Sequence, residues 1–401
     1  MKVLVLTHRL PFAPNRGDRI RAYHIVRLLA ARADVHVVSL VHDRREEAEA
    51  AAMRRLGVEV STARVPRLRN MIRAAVALPT RPPLTTTLLH SPWIAGVLRE
   101  VVQQSDPDVV LSYCSGVVPL CLTPPLDAIP FVLDMVDVDS AKWAAFAERA
   151  SLPWTAIYRR ESRCLAKLEQ QASRAAFVTT VVNERERDLL RRVCPEAPIR
   201  VASNGVDAEF LAPPGPPAAG ERVIFTAVFN YAPNADAALW FARHVWPNIR
   251  AARPSATLTL AGSSPTRQVR QLARQDPSIE VTGAVADMRP LLWRSSVAIA
   301  PIFQSRGVQN KVLEAAAAGL PVIITRAVAH GLPREVLPAC RVADGAGDYA
   351  SEVIDLLSLP PEARRAVASR ANVANLSWSR QLAPLLRFVE EAAAQRRRRI
   401  S

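Results

Sequence analysis

Short apolar runs alternating with helical stretches, twice over, leave this chain few folds to choose from. In the amino-terminal half the runs are Lys2–Leu6, Val35–Val41, Val58–Ala63, Val109–Tyr113, Phe131–Val136, Phe177–Val182 and Ile199–Ala202. They are mostly apolar, which suits buried strands covered by helices. Helical periods fill the gaps: Ile20, Tyr23, Val26, Leu28 and Leu29 mark Gly17–Ala31, and Arg44–Leu56 follows the second run. A longer helical insertion covers Leu68–Gln104, interrupted at Pro79 and Pro82-Pro83, and another helical region runs from Ser140 to Arg174, punctuated by Pro153. The stretch Leu211–Gly220, with four prolines, excludes regular structure and reads as a linker.

The pattern then restarts. Val223–Val228, Thr257–Ala261, Ile279–Thr282, Val297–Ile302, Val322–Thr325 and Cys340–Ala343 read as strands, with helices at Asn234–Ala252, Pro265–Arg274 and Val308–Ala318. A last amphipathic helix covers about Ser379–Ala394. Connections this long join strands in parallel. The expectation is an α/β protein of two doubly wound domains joined by a Pro-rich hinge.

With 401 residues, 49% hydrophobic and 22% charged, the chain has material for sizeable cores, which excludes wholesale disorder. No apolar run reaches the roughly 18 residues of a membrane-spanning helix. About five apolar residues before His8 and Arg9 are too few for a signal peptide. A soluble, cytoplasmic-side protein is expected. Five scattered cysteines and seven scattered histidines, with no C-x-x-C and no H-x-x-x-H, argue against disulfides and structural zinc. The formal charge is +15, and only Lys2, Lys142, Lys167 and Lys311 of the 52 basic side chains are lysines. That charge favours anionic partners: nucleotide, nucleic acid or a phospholipid surface. Nucleic acid is the poorest fit, because aromatic residues are only 5% and no recognition motif is present.

Ligands of open α/β sheets bind beyond the carboxyl ends of the strands, so a cleft between two such domains is the expected site. Four loops stand out. Asn15 to Arg19 follows the first strand, and Gly17 lets backbone N–H groups approach an anion; it also reads as a plain strand–helix turn. Asp134, Asp137 and Asp139 end a buried strand and suit orienting a hydroxyl or holding a metal, while Asp139 or Ser140 suits capping the next helix. Gly283 to Arg289 is a turn against which a nucleobase fits. The fourth loop, Phe303 to Ile323, is the most informative. Its helix is expected to open on Gly307, offering N–H groups and a positive dipole end to a phosphate. Lys311 adds a mobile cation in the first turn, and Glu314, three residues on, shares its face and suits a bidentate bond to vicinal hydroxyls.

At this loop the sequence resembles glycosyltransferase family 4, the retaining nucleotide-sugar transferases of GT-B fold, in which two Rossmann-like domains face across a cleft. Ser203-Asn204-Gly205-Val206-Asp207, Thr282 to Asp287, Val312 to Val322 and Ser377-Trp378 are similar to segments of that family. The wording DMVDVDSAKW, FNYAPNADAALWF and RGVQNKVLEA is similar to the subgroup linked to exosortase/PEP-CTERM exopolysaccharide loci. The resemblance implies an acceptor-side domain of residues 1–205 with 376–401, and a donor domain of residues 206–375.

It further implies that Glu314 binds the donor ribose, that Gly307 and Val308 present N–H groups to the diphosphate, and that Val285 lies by the base. Gly17 would approach from the other domain, and Asp137 or Asp139 would orient the acceptor. Three positions depart from the family. Arg306 stands where a sugar-facing Glu is usual, which suits an anionic sugar or acceptor such as a uronate, or the donor diphosphate. The Arg and Lys usual after the second domain's first strand give way to a loop with Asn230 and Asn234, and Lys311 supplies part of that charge. A usual His is replaced within Val136-Asp137. The implied reaction moves a sugar from a nucleotide diphosphate to a lipid-linked or saccharide acceptor, with no metal cofactor. The alternatives are a sugar-nucleotide epimerase and a non-catalytic sugar-nucleotide-binding or nucleic-acid-binding protein. The basic tail Gln395–Arg399 and the insertion Arg67–Leu89 are expected to make one basic, partly apolar surface for an anionic membrane.

Overall fold

The apolar runs become the strands of two all-parallel sheets. In the first, β1 (Lys2–Thr7), β2 (Asp34–Val41), β3 (Glu59–Arg64), β4 (Val109–Tyr113), β5 (Phe131–Val136), β6 (Val178–Val181) and β7 (Ile199–Val201) lie in the order β3-β2-β1-β4-β5-β6-β7. In the second, β8 (Arg222–Thr226), β9 (Thr257–Ala261), β10 (Ile279–Gly283), β11 (Val297–Ala300), β12 (Val322–Ile324) and β13 (Cys340–Val342) lie in the order β10-β9-β8-β11-β12-β13. This is a computed structural model, and it describes residues 1–12, 17–80, 82–148, 150–305 and 307–400. The chain divides into two units, Met1–Ser203 with Leu382–Ser401, and Asn204–Gln381.

Each order reverses once, between β1 and β4 in the first sheet and between β8 and β11 in the second. Chain leaving neighbouring strands at such a point departs toward opposite faces, which opens a crevice beyond their carboxyl ends. The inner strands bury both faces, as expected of Val- and Leu-rich runs: Val3, Leu4, Val5 and Leu6 are all within 1% of full burial. In the second unit Phe225, Phe229, Phe241, Trp246 and Tyr349 fill the core. The polar ends of the last two are satisfied there. Tyr349 Oη donates to the Ile323 carbonyl at 2.6 Å, and Trp246 Nε1 to Ser278 Oγ at 2.9 Å.

Several elements differ from the sequence expectation. The insertion is three helices, Arg67–Ala77, Leu84–Leu88 and Ile94–Ser105, because the prolines between them cannot donate to a continuing ladder. For the same reason the region after β5 splits into Asp139–Ala147 and Trp154–Ala175. The final helix is longer, Trp378–Ile400, and carries Pro384 inside it.

The Pro-rich stretch is not a free hinge. It belongs to the second unit, where its carbonyls are taken up one by one. Trp293 Nε1 donates to Leu211, Arg365 to Gly215 and Arg364 to Ala218, at 2.9, 2.8 and 2.8 Å. Proline removes donors but keeps acceptors, so side chains rather than backbone hold such a segment.

The basic tail is also engaged. Arg396 donates to Asp106 at 2.8 Å, and Arg397 forks onto Asp108 at 2.9 and 2.5 Å, holding that carboxyl down to about pKa 2. Those acids precede β4, whereas the insertion meets the loops that follow β2 and β4. The tail and the insertion therefore sit at opposite ends of the first sheet. They do not form one surface.

Candidate active site

In the second unit the loops after β8 and β11 flank the switch point and carry the informative residues. The helix of the second loop begins at Asn310, with Gln309 as its N-cap, and not at Gly307. Gly307 has φ of +62°, a left-handed conformation that a right-handed helix cannot include. Val312, Leu313, Ala315, Ala316 and Ala317 bury one side of the helix Asn310–Ala317. Lys311 and Glu314, three apart, share the remaining face.

Lys311 Nζ donates to Asn234 Oδ1 at 3.0 Å and stands 4.8 Å from the centre of the Phe225 ring. Asn234 is itself fixed, because its Nδ2 donates to the Val228 carbonyl at 3.0 Å. The expected mobile cation is thus a held one. Burial lowers the Lys311 pKa to about 7, with Glu314 offsetting only part of the effect. Burial likewise raises the Glu314 pKa, against the pull of Lys311. The Glu314 carboxylate has no hydrogen bond among the described residues, so its acceptor sites remain open to a ligand. Asn204 Nδ2 donates to Asn310 Oδ1 at 2.9 Å and fixes the start of this helix. That gives the Asn-Gly-Val-Asp motif a mechanical role.

The structure brings Asn234, Lys311 and Glu314 together. Asn230 is exposed on the same β8 loop. Val308 and Val285 are half-buried and pack on the core of the unit, Val285 just beyond the end of β10. Asp287 is occupied with Arg289, accepting from its backbone N–H at 2.9 Å and from its guanidinium at 2.7 Å. Arg306, Asn15 and Arg16 lie outside the described residues. Gly17 is the first residue of the helix Gly17–Ala30.

In the first unit β1 and β4 are the neighbours at the switch point, and the rings of His8 and Tyr113 stack there 6.0 Å apart. Asp134 is not placed to orient a hydroxyl, as its sequence suggested, but is fully buried in β5. It takes a two-pronged ion pair from Arg21 at 2.8 and 2.9 Å and a bond from Thr180 at 2.8 Å. Its work is structural. Beyond it Val136 has φ of +70° and the register against β6 shifts, turning the chain so that the following acids leave the strand. A β-branched residue in that conformation costs on the order of 1–3 kcal/mol and persists where the surroundings over-determine it.

Asp137 Oδ1 is buried without a hydrogen-bond partner among the described residues. Burial, reinforced by Glu186, raises the Asp137 pKa to about 7. Asp139 behaves oppositely. Burial alone would raise its pKa, but Lys142 and the Ser115 hydroxyl, both bonded to it, hold it below its ordinary value. Neither Asp139 nor Ser140 is the N-cap of the helix Asp139–Ala147; that position is Val138, whose N–H donates to Glu186 at 2.8 Å. Two carboxyls with separated proton affinities thus sit at the carboxyl end of β5. Among the described residues no group of three His, Cys, Asp or Glu side chains is placed to hold a metal ion.

Sequence reasoning did not assign Ser115, Glu186, Phe225 or Asn310. Glu186 is 49 positions from Asp137 in the chain, and nothing local marks it. Lys142 did carry a signal, as one of only four lysines, but its partner was not legible.

Residues 220–358 match the family described as glycosyl transferases group 1. No curated protein matches the chain. Solved structures with the same architecture include HepE from Anabaena in complex with UDP, at 13% identity and TM-score 0.67, covering 98% of this chain and 100% of that one. TarM of S. aureus aligns at 9% identity and TM-score 0.69 over 97% and 98% of the two chains. OtsA, without ligand, aligns at 11% and 0.65 over 96% and 98%. At such identities the likeness is one of fold, and the fold is GT-B. With the matched domain in its second unit, the enzyme is a glycosyltransferase, of class EC 2.4.

Proposed function

We propose that this glycosyltransferase is a retaining enzyme of family 4 that takes a sugar from a nucleotide diphosphate and gives it to a lipid-linked or saccharide acceptor. The subgroup wording in its sequence supports a role in exopolysaccharide or cell-envelope glycan synthesis. The observation that carries the reading is the held Lys311 beside the open carboxylate of Glu314 at the switch point of the second sheet. The lysine offsets charge on the diphosphate, and Glu314 accepts from the ribose hydroxyls. Gly307 and Val308 offer backbone N–H groups to the phosphates, Val285 borders the base, and Asn230 and Asn234 line the donor side. Departure of the diphosphate builds negative charge, and cations and N–H groups fixed in advance stabilise it most.

On the acceptor side Asp137 exchanges a proton with the incoming hydroxyl near neutral pH, and ionised Asp139 orients it. Arg306 meets an anionic group on sugar or acceptor. No metal ion takes part. The insertion Arg67–Leu89, with apolar residues between arginines, docks the enzyme on an anionic membrane. No helix among the described residues is long and apolar enough to cross one.

UDP occupies the neighbouring HepE structure, so UDP-sugars are the first donors to test. Binding and hydrolysis of UDP-glucose, UDP-glucuronate and the matching ADP- and GDP-sugars would be measured on the full chain. The reading expects saturable binding of one nucleotide class. Failure of every nucleotide sugar to bind would remove it, and preference for a neutral sugar would remove the role given to Arg306.

A further inference from the structure

A cavity of about 460 Å³ lies in the first unit between the insertion and the loop after β4. That is within the size range of small-molecule sites. Leu40, Ala77, Leu89, Ile94, Val117 and Leu120 make its apolar walls. Thr86 and Thr87 also line it, but both hydroxyls donate to the Pro83 carbonyl at 2.9 Å, which satisfies them within the wall. A Cβ at residue 116 would stand 2.5 Å from Leu89 Cδ1, so glycine there lets Leu89 keep its place in the wall.

The charge at the cavity has one sign. Arg73 and His90 line it, and Arg69 and Arg73 both press the His90 pKa down, after burial. No carboxylate lines it among the described residues. Ser91 lines it too, is 2% exposed, and its hydroxyl has no partner among the described residues. An apolar void with a cationic mouth and an unspent hydroxyl fits an amphiphile with an anionic head.

The helix Arg67–Ala77, which supplies Arg73 and Ala77, leaves Leu68, Met71, Ile72 and Val76 between 62% and 75% exposed. Polar clamps from the helix Trp154–Ala175 hold it and its neighbour. Arg160 donates to the carbonyls of Ala77, Leu78, Thr80 and Pro82 at 2.6–3.1 Å. Glu161 accepts from the N–H groups of Leu84 and Thr85 at 2.7 and 2.8 Å. An unpartnered apolar face thus leads to the cavity mouth. Leu40 lies one residue before the end of β2 and Gly116 follows β4, so the cavity lies at the end of the sheet where Asp137 and Asp139 leave β5.

We propose that this cavity is the subsite for a lipid phosphate, its hydrocarbon chain between Leu40, Leu89, Ile94 and Leu120 and its phosphate on Arg69 and Arg73. The site makes the acceptor of the transferase lipid-linked, and to that extent it rests on the function proposed above.

The test measures binding of n-dodecyl phosphate below its micellar concentration to the full chain, with n-butyl phosphate and inorganic phosphate as comparisons. Dodecyl phosphate is expected to saturate at one per chain, at least about tenfold tighter than butyl phosphate, because each buried methylene adds to affinity. Inorganic phosphate is expected not to saturate. Ala77→Phe and Leu120→Phe fill the cavity and should abolish the chain-length preference, leaving thermal midpoint and UDP-glucose affinity unchanged. Arg73→Gln should weaken dodecyl phosphate about three- to tenfold. Equal affinity for the dodecyl and butyl esters, unchanged binding in both filling variants, or binding to anionic vesicles but not to monomeric dodecyl phosphate would each overturn the site. Should dodecyl phosphate bind as described while no nucleotide sugar binds the native chain, the lipid site stands and the donor reading falls.

Discussion

Donor binding at Lys311 should take up a proton. The free site holds this lysine at a pKa of about 7, against an ordinary value of 10.5, because burial disfavours its charge. A diphosphate beside it restores the charged form. At pH 8.5, about 1.5 units above the free value, only about 3% of the empty sites carry the proton. Affinity should then be about 30-fold weaker than at low pH, or about 2 kcal/mol. A nucleotide sugar is the right probe, since its diphosphate is a diester without an ionisation of its own near neutrality.

The assay is calorimetric titration of UDP-glucose between pH 6.5 and 9 in buffers of different ionisation enthalpy. Affinity should fall about tenfold per pH unit above 7, with about one proton taken up per ligand at pH 8.5. Lys311→Met should remove the slope and weaken binding at pH 6.5 by about 1.5–3 kcal/mol. Without ligand the sign is opposite. Between about 7 and 10.5 the unfolded chain holds the proton and the folded chain does not, so this group makes stability rise with pH. Flat donor affinity across the range, or the same slope in Lys311→Met, would refute the argument.

Glu314→Gln should cost about 1.5–3 kcal/mol in donor affinity, while the thermal midpoint holds or rises, because a neutral amide is easier to bury than a carboxylate whose pKa is already raised; unchanged affinity on titration would remove the ribose role. Asp134→Ala strands Arg21, which is 1% exposed in its ion pair, and should cost about 3–5 kcal/mol in urea unfolding, with a loss under about 1 kcal/mol counting against the buried pair. Transfer should survive EDTA if Lys311 and backbone N–H groups meet the diphosphate as proposed. Loss of activity restored by a divalent ion would instead give Asp137 and Asp139 a metal to hold.

Periodicity alone determined that this chain is two parallel α/β sheets, because mostly apolar strands separated by helices have no other way to bury themselves. Lys311 and Glu314 were legible as a pair for a local reason: residues three apart on a helix share a face. Long-range partners decided the rest. Whether Lys311 is mobile depends on Asn234 and Phe225, which lie 77 and 86 positions away in the chain, and desolvation there sets its proton affinity. Asp134, Asp137 and Asp139 look alike in sequence. Tertiary structure gives the first an arginine, leaves the second beside another carboxylate, and gives the third a lysine and a hydroxyl. The Pro-rich stretch read as a hinge because its composition forbids helix and strand, but donors from distant helices hold its carbonyls. The basic tail and the basic insertion read as one surface because their charges match. The direction of the strands in the first sheet puts them at opposite ends, and charge in a sequence carries no direction.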